Sequence, residues 1–375
     1  MTVGGWAVIS ERAPGKLFVA GEYAVVEPGR HAILTAVDRY ATATVRASHT
    51  DAAVTVCTDL GQGVQLACRR AGTGLVPANG RARPPAELAY VFAAAAVVER
   101  LLIERGHPVL PCRVAVTADL ADRSGRKFGL GASAAVTAAT VAALGRFHRL
   151  GLSRMDRYRL AMLATLSVDP AASGGDVAAS TWGGWLVYGS PDRRWVSETL
   201  ATRSVTELLS RPWPGLSVHR LPPPARSALR VGWTGTPVAT PGLVRSVRRG
   251  RDRRAGDYRA FVAATEECVR ALARALEADE PGAVHAGILR ARELLVHLDS
   301  VARAGIMTPR LRALCAAGDA VGAAAKPSGA GGGDCGIAFL DPADTAALAE
   351  LADRWRAAGI EPLTVRPHPR QEADT

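Results

Sequence analysis

Apolar residues recur with two spacings along the chain, which together predict a mixture of strands and helices. Alternating β-branched residues over 32–46 predict a strand that follows the turn residues Glu27–Arg30. Apolar runs of helical length predict helices over 86–104 and 153–167, the second beginning with a capping box at Ser153 and Asp156. No regular strand–helix–strand period is present, so we expect an α+β fold rather than a doubly wound parallel sheet.

Two segments interrupt this pattern. Residues 59–85 are rich in Gly, Pro and Arg, and we expect them to be irregular. Residues 211–225 contain five prolines and are the best candidate for a linker. We therefore predict two domains, over residues 1–220 and 221–375, with a helix near 240–249 early in the second.

The composition is that of a globular protein. Of 375 residues, 48% are apolar and 22% charged, and no apolar run reaches the roughly 18–20 residues of a membrane-spanning helix. Residues 1–12 lack a signal-peptide layout, and the six cysteines show no metal-ligand spacing, so we expect a cytoplasmic location with reduced thiols. The net charge of +11 would suit nucleic acid, but 5% aromatic residues are too few for a base-stacking surface. We expect no nucleic acid and no membrane as partners, and either a monomer or a homodimer.

A glycine-containing loop at 129–134 is the strongest candidate for a binding site. Its glycines allow a tight turn with uncovered backbone N–H groups, and an alanine-rich helix follows. Free N–H groups and the helix dipole attract an anion to the same point, and Lys127 lies at the mouth of the loop. We predict that the loop holds the phosphates of ATP through Gly129, Leu130, Gly131, Ala132, Ser133 and Ala134.

The same loop also matches the dinucleotide fingerprint G-x-G-x-x-A. That fingerprint needs a strand running directly into the first glycine and an acidic residue about 20 positions later. Here the polar connector 119–126 precedes the loop, and the position 20 residues on is Arg149. The loop therefore favours ATP over a nicotinamide cofactor. The Walker pattern is absent, which excludes the common P-loop ATPases.

The lysines give independent support for a phosphate site. Only three of the 46 basic residues are lysines, Lys16, Lys127 and Lys326, and each lies in a segment that contains glycine and reads as a turn. Lysine is a compact point charge, whereas arginine is a broad planar fork, so the two are not interchangeable at a crowded phosphate. We therefore predict that the three segments form one site.

The acceptor side of the site has a candidate base. Asp176 ends the run Ser173-Gly174-Gly175-Asp176, where small residues allow a ligand to approach closely; the competing interpretation is a helix N-cap for 177–180. Asp169 precedes Pro170 and reads as the start of a turn. Ser133 could donate to phosphate or bind Mg²⁺, or it could simply cap its helix.

A third glycine-rich segment, Lys326–Gly336, has five glycines in eleven residues and is flanked by predicted strands. Such a density favours close approach of the backbone to a ligand, although a flexible linker has the same composition. Together with Pro14-Gly15-Lys16 and the 129–134 loop, in this order, it resembles the three motifs of the GHMP small-molecule kinases. The resemblance spans nearly the whole chain and includes 13–26, 126–131, 173–184 and 232–235.

The resemblance implies a fold and an activity. It implies the GHMP kinase fold, with an N-terminal domain like ribosomal protein S5 domain 2, a ferredoxin-like C-terminal α/β domain and the active site between them. It implies ATP and Mg²⁺ as cofactors, with Ser133 as the metal-contacting residue. The motifs are most similar to the branch of the family that transfers the γ-phosphoryl group to the 5-phosphate of phosphomevalonate, which would be the small-molecule substrate.

The resemblance also assigns roles by position. Asp176 would be the base or hydroxyl positioner, Lys127 would stabilise charge on the transferred group, and Lys16 would contact the acceptor. The substrate contacts it suggests are Lys16, Glu22, Tyr23, Ser173, Gly174, Ser180, Ser328, Gly329, Ala330 and Gly331. Candidates for a metal carboxylate are Asp119, Asp122 and Glu22.

One position departs from the family pattern, which has Gly-Ser-Ser where this chain has Gly131-Ala132-Ser133. A weakened hydrogen bond to phosphate costs on the order of 1–3 kcal/mol, so activity should survive. Two alternatives stay open, a sister kinase for mevalonate or another alcohol and a non-catalytic binding module. A binding module would not need both the aspartate and the lysines.

Overall fold

The structure, a computed structural model, describes residues 8–50, 52–59, 63–72, 74–237, 242–243, 245–247 and 254–369. The strands are β1 (Ile9–Ala20), β2 (His31–Ala47), β3 (Val54–Thr58), β4 (Gln65–Ala71), β5 (Gly74–Pro77), β6 (Cys112–Ala118), β7 (Trp185–Gly189), β8 (Ser217–Leu221), β9 (Ala228–Trp233), β10 (Ala324–Pro327), β11 (Cys335–Leu340) and β12 (Glu361–Leu363). The described α-helices span Ala89–Glu104, Ala132–Phe147, Arg154–Val168, Gly175–Trp182, Arg193–Thr202, Val205–Ser210, Ala255–Glu277, Pro281–Ala302, Pro309–Asp319 and Thr345–Ala357. Short 3₁₀ turns lie at Ala24–Val26 and Ala86–Leu88.

The first sheet is organised around β2. Its order is β5-β4-β3-β6-β2-β7-β8, with β1 paired along β2, and only the β3–β6 pair is parallel. The helix Ala132–Phe147 packs against β1 and β2 and against the helices on either side of it. Its small residues, such as Ala135, Ala139 and Ala143, are fully buried and let these elements approach closely.

The second sheet is fully antiparallel, in the order β10-β11-β9-β12. Two long helices, Ala255–Glu277 and Pro281–Ala302, separate β9 from β10, and Thr345–Ala357 separates β11 from β12. This is the order of a ferredoxin-like domain, in which the first and third strands are central. The predicted α+β class is confirmed, as is the capping box at Ser153 and Asp156.

Several local predictions are wrong. The stretch 59–85 is not irregular, because it contains β4 and β5 at the edge of the first sheet. In β4, buried Leu66 and Cys68 alternate with the exposed residues Gln65, Ala67 and Arg69. β4 pairs with β3 on one side and with the short edge strand β5 on the other, and the exposed residues on its solvent face hid the strand in the composition.

Two of the three lysine segments are strands rather than turns. Lys16 lies within β1 and Lys326 within β10. Gly15 occupies a small irregularity of β1, and a Cβ there would stand 2.7 Å from the carbonyl oxygen of Leu130. This glycine is therefore needed for the close approach of another segment and not for a turn.

The proline-rich stretch 211–225 is also partly regular, because β8 lies inside it and pairs with β7. The chain passes from the first sheet to the second between Leu221 and Ala228. Of the helix predicted near 240–249, the structure describes residues 242–243 and 245–247, which are helical, and the other positions lie outside the described residues. None of the described helices is both long and apolar enough to cross a membrane.

His148 ends the helix that follows the glycine loop and creates a pH dependence of stability. Burial, and then the positive charge of Arg70, lowers the pKa of His148 to about 4. Its Nδ1 is buried with no hydrogen-bond partner among the described residues. The unfolded chain binds a proton near pH 6.5 and the folded chain does not, so stability falls as the pH drops from about 6.5 to about 4.

We predict that His148→Gln removes this part of the pH dependence. Between about pH 6.5 and about pH 4, the free energy of unfolding of the wild type should fall by roughly 2–3 kcal/mol more than that of the variant. Denaturant titrations at a series of pH values measure the difference. The control is His49→Gln, which changes an exposed histidine and should keep the wild-type profile. Parallel profiles for wild type and His148→Gln would contradict the prediction.

Candidate active site

The structure contains a cleft of about 350 Å³, a volume within the size range of small-molecule sites. Residues from both halves of the chain line it, and many of them were predicted from the sequence. The predicted residues on its wall are Lys16, Glu22, Tyr23, Lys127, Gly129, Leu130, Gly131, Ala132, Ser133, Ala134, Ser173, Asp176, Gly329 and Ala330. The structure thus brings the three motifs to one place.

The glycine loop presents an uncapped helix N-terminus to the cleft. Gly129 and Gly131 have φ of +81° and +77°, and Gly131 is the N-cap of the helix Ala132–Phe147. No side chain caps this helix, so capping is not the role of Ser133. The side chain of Ser133 instead forms a hydrogen bond with Tyr90. The first turn can therefore receive an anion through its backbone N–H groups.

Asp334, in the loop before β11, packs against the glycine loop at the cleft wall. A Cβ on Gly129 would stand 2.5 Å from Cβ and Cγ of Asp334, so the aspartate packs directly on the glycine backbone. Asp334 has φ of +51°, an uncommon conformation for a residue other than glycine. Nearby, Phe128 packs edge-on against Trp233 with ring centroids 5.1 Å apart, and Cys335 Sγ donates to the Phe128 carbonyl at 3.0 Å.

Lys16 reaches the cleft from β1 and passes under the glycine loop. Its backbone N–H donates to the Leu130 carbonyl at 2.8 Å, and its stem fills the space that a Cβ on Gly131 would need. Its Nζ donates to the Gly129 carbonyl at 3.3 Å and lies 5.2 Å from the centroid of the Phe18 ring. Among the described residues no carboxylate pairs with Lys16, so its charge is available to an anion. Lys127 lines the same cleft from an exposed position.

Asp176 lies in the first turn of the helix Gly175–Trp182, where the helix dipole favours a negative charge. The N-cap is Gly174, so the alternative in which Asp176 caps the helix is wrong. No hydrogen bond to the Asp176 carboxylate is found among the described residues. Burial, and then the charges of Asp169 and Asp176, raises the pKa of Tyr90. Both carboxylates therefore lie near the tyrosine that contacts Ser133.

A buried tyrosine pair holds the backbone segment that precedes Asp176. Tyr188 donates to the Ser173 carbonyl at 2.7 Å, and its hydroxyl is 2.7 Å from that of Tyr158. Both rings are fully buried. Gly174 has φ of +85°, and a Cβ there would stand 2.6 Å from the Tyr188 hydroxyl. Gly174 is therefore required by packing beneath the loop.

The three lysine-containing segments meet at this cleft as predicted, but the side chain of Lys326 itself does not face it. Its side chain is fully buried, and Nζ pairs with Glu22 Oε1 at 2.5 Å. Lys326 belongs to the second sheet, whereas Glu22 follows β1 of the first. The pair is therefore an ion pair between the two halves of the chain.

Four predicted substrate contacts do not line the cleft: Gly174, Ser180, Ser328 and Gly331. Ser180 donates to the Pro14 carbonyl at 2.8 Å, and Ser328 Oγ both donates to and accepts from the backbone of Phe18 at 2.9 Å. A Cβ on Gly331 would stand 2.6 Å from the Ile306 carbonyl oxygen. These residues shape the walls of the cleft from behind.

The metal carboxylates suggested by the sequence are engaged elsewhere. Asp119 pairs with Arg39 at 2.9 Å and Asp122 with Arg126 at 2.7 Å, and neither lines the cleft. Glu22 is held by Lys326. Sequence reasoning missed Asp169, Tyr90 and Asp334 on the cleft wall. Asp169 begins a turn as predicted, through a hydrogen bond from the Ala171 N–H, and its place in the cleft has no sequence signal of its own.

Comparison with known proteins agrees with this arrangement. The family pattern described as GHMP kinases N terminal domain matches residues 89–184, and GHMP kinases C terminal matches 272–361. Over 370 residues the chain is 48% identical to the phosphomevalonate kinase of Streptomyces sp. (strain CL190), covering 97% of this chain and 98% of that one. The chain belongs to the GHMP kinases.

Solved structures support the same assignment over almost all of this GHMP kinase. The Lin0012 protein from Listeria innocua has a TM-score of 0.88 and 32% identity, covering 98% of this chain and 100% of that one. Streptococcus pneumoniae phosphomevalonate kinase in complex with phosphomevalonate and AMPPNP has a TM-score of 0.82 and 28% identity, covering 96% and 99%. The predicted family and fold are confirmed.

We predict that Gly129→Ala separates the glycine loop from Asp334. The control is Gly125→Ala, because Gly125, like Gly129, has φ near +80°. A Cβ on Gly125, however, would have no atom within 4 Å. The backbone cost of about 1–2 kcal/mol is therefore common to both. Only Gly129→Ala should also displace the loop and lower kcat/KM for ATP, roughly tenfold to a hundredfold.

Steady-state kinetics and thermal unfolding of the two variants check this prediction. Equal loss of kcat/KM in both would show that the contact with Asp334 does not position the loop.

Proposed function

We propose that the chain transfers the γ-phosphoryl group of ATP to the phosphate of (R)-5-phosphomevalonate, forming 5-diphosphomevalonate in the mevalonate route to isoprenoids. The observation that carries this proposal is its similarity, over nearly its full length, to the Streptomyces phosphomevalonate kinase. The cleft supports it independently, because an uncapped helix N-terminus, two lysines and the carboxylate of Asp176, which has no partner among the described residues, face one space. These are the parts that phosphoryl transfer needs.

The roles of the side chains follow from their positions. The N–H groups at the start of the helix Ala132–Phe147 bind the phosphates of ATP, and Lys127 stabilises charge on the transferred group. Lys16 contacts the acceptor phosphate, because its charge is unpaired within the described residues and it enters from beneath the loop. Asp176 accepts or orients the proton of the acceptor. Each assignment is ours and is tested by substitution.

Mg²⁺ fits the chemistry of the cleft. Hydroxyl and carboxylate oxygens are hard ligands of the kind that Mg²⁺ prefers, and Ser133, Asp169 and Asp176 all lie near Tyr90. The described residues contain no cluster of three or more His, Cys, Asp or Glu side chains that could hold a metal. Mg²⁺ commonly binds through one or two carboxylates together with substrate phosphates. We propose Ser133 and Asp169 as its protein contacts, where it would neutralise charge on the phosphates.

The competing function is that of a sister GHMP kinase acting on mevalonate or another small alcohol. Both functions use the same ATP-binding parts and differ only in the acceptor. The oligomeric state and the cytoplasmic location stay predictions.

A panel of acceptors separates the two functions. ADP release should be fast with phosphomevalonate and at least roughly a hundredfold slower, in kcat/KM, with mevalonate, homoserine or galactose, because Lys16 would lack its phosphate partner. Mass spectrometry of the product should show a diphosphate. Preferential turnover of mevalonate would replace the proposed function with the sister activity.

Asp176→Asn tests the role of the carboxylate. Loss of a general base lowers kcat roughly 10²–10⁴-fold. The loss should be greater near pH 6 than near pH 8, because phosphate monoesters have a second pKa of about 6 and carry the proton at low pH. The control is Asp192→Asn. Asp192 caps the helix Arg193–Thr202, and asparagine caps a helix equally well. An Asp176→Asn enzyme with near-normal kcat at both pH values would exclude the role.

A further inference from the structure

The ion pair between Glu22 and Lys326 is the most deeply buried of the described ion pairs. Their side chains are 3% and 0% exposed, and Nζ lies 2.5 Å from Glu22 Oε1. Lys326 Nζ also donates to the Pro327 carbonyl at 2.6 Å. Lysine and glutamate are almost never fully buried unless they are paired, so each charge depends on the other.

Among the described residues, neither Glu22 nor Lys326 has a second ion-pair partner. On one side of Glu22 a cavity of about 10 Å³ is lined mainly by Phe261, Cys268, Leu294 and Leu295. Such walls do not solvate a charge, so breaking the pair would leave an uncompensated charge in a medium of low dielectric constant.

The pair belongs to a larger set of contacts that fastens the third glycine segment to the first sheet. Glu22 Oε1 also accepts from the Gly329 N–H at 3.4 Å, and the Tyr23 hydroxyl donates to the Ala330 carbonyl at 2.5 Å. Ser328 bonds to both backbone groups of Phe18. We call Glu22, Tyr23, Lys326 and Ser328 the interdomain clasp.

The clasp fixes the third segment next to Lys16. The Cβ position of Gly329 lies 3.8 Å from Lys16 Nζ, so the backbone of this segment borders the ammonium group directly. Glu22 is itself on the cleft wall. Pairing with Lys326 therefore cancels a negative charge that would otherwise face the same space as Lys16.

We infer that Lys326 is a positioning residue that neutralises Glu22 and holds the third glycine segment over Lys16, and that it does not contact a phosphate. This inference rests on the proposed function, because it assigns the acceptor phosphate to Lys16. The neutral clasp keeps the cleft electrostatically open to an anionic acceptor. Loss of the Lys326 charge mainly raises the KM for the acceptor, because the charge of Glu22 is then no longer neutralised.

A double-mutant cycle tests the inference with Lys326→Met, Glu22→Gln and the combined variant. Lys326→Met should raise the KM for phosphomevalonate roughly tenfold or more, because the bare Glu22 carboxylate repels the acceptor. The KM for ATP and the kcat should change less. In the combined variant no charge is unpaired, so it should fold, and its acceptor KM should return to within about threefold of that of Glu22→Gln.

The control is a second ion pair that lies away from the cleft. Arg70 and Glu99 are joined at 2.7 Å, with Glu99 buried. The variants Arg70→Met and Glu99→Gln should change the unfolding temperature and leave the acceptor KM at its wild-type value. This separates a loss of charge balance at the cleft from a general loss of stability.

Two results overturn the inference. If Lys326 binds phosphate, the combined variant is as impaired in acceptor KM as Lys326→Met, or worse. If the Glu22–Lys326 pair serves stability alone, the acceptor KM rises in proportion to the loss of unfolding temperature, and it does so equally for variants of the Glu22–Lys326 and Arg70–Glu99 pairs. If Lys326→Met does not fold, the acceptor KM of the combined variant is compared with that of Glu22→Gln, and this comparison decides. Failure of the proposed function itself is distinct, since wild-type enzyme would then not turn over phosphomevalonate.

Discussion

The ion pair between Glu22 and Lys326 is the constraint on which the cleft depends. The reacting groups lie on separate segments, and this pair joins the end of β1 in the first sheet to β10 in the second. A buried pair of opposite charges has one favourable arrangement and a large penalty for separation. It therefore fixes the position of β10 relative to the end of β1, and with it the position of the third glycine segment.

The charges of the cleft are arranged around this pair. Lys16 has no carboxylate partner among the described residues, and Lys127 is exposed at the mouth, so two positive charges remain for phosphates. Asp169 and Asp176 line the same cleft near Tyr90. This combination suits a site in which lysines and a helix N-terminus bind anions while carboxylates orient the acceptor or a metal ion.

Much of the fold class and most of the cleft wall follow from the sequence. The glycines at 129 and 131, the Gly-Gly pair before Asp176 and the third segment mark places where backbone comes close to something else, and the structure places all of them at or beside the cleft. What composition could not reveal was which neighbour each glycine accommodates. Gly129 makes room for Asp334, Gly174 for a tyrosine pair and Gly331 for Ile306, and these partners are distant in sequence.

The partner of Lys326 was hidden for the same reason. Three lone lysines in glycine-containing segments predicted that these segments form one site, and they do meet at the cleft, yet the Lys326 side chain contacts Glu22, 304 positions away in sequence. Nothing local distinguishes a lysine that binds phosphate from one that neutralises a buried carboxylate. The irregular appearance of 59–85 also misled, since the exposed arginines of β4 resemble those of a solvated loop.

The most direct test of the account is a crystal structure of the chain with phosphomevalonate and a non-hydrolysable ATP analogue. We expect the acceptor phosphate to lie within hydrogen-bond distance of Lys16 Nζ, while Lys326 Nζ stays paired with Glu22. A structure in which Lys326 has left Glu22 to bind a phosphate, with Lys16 turned away from both substrates, would contradict it.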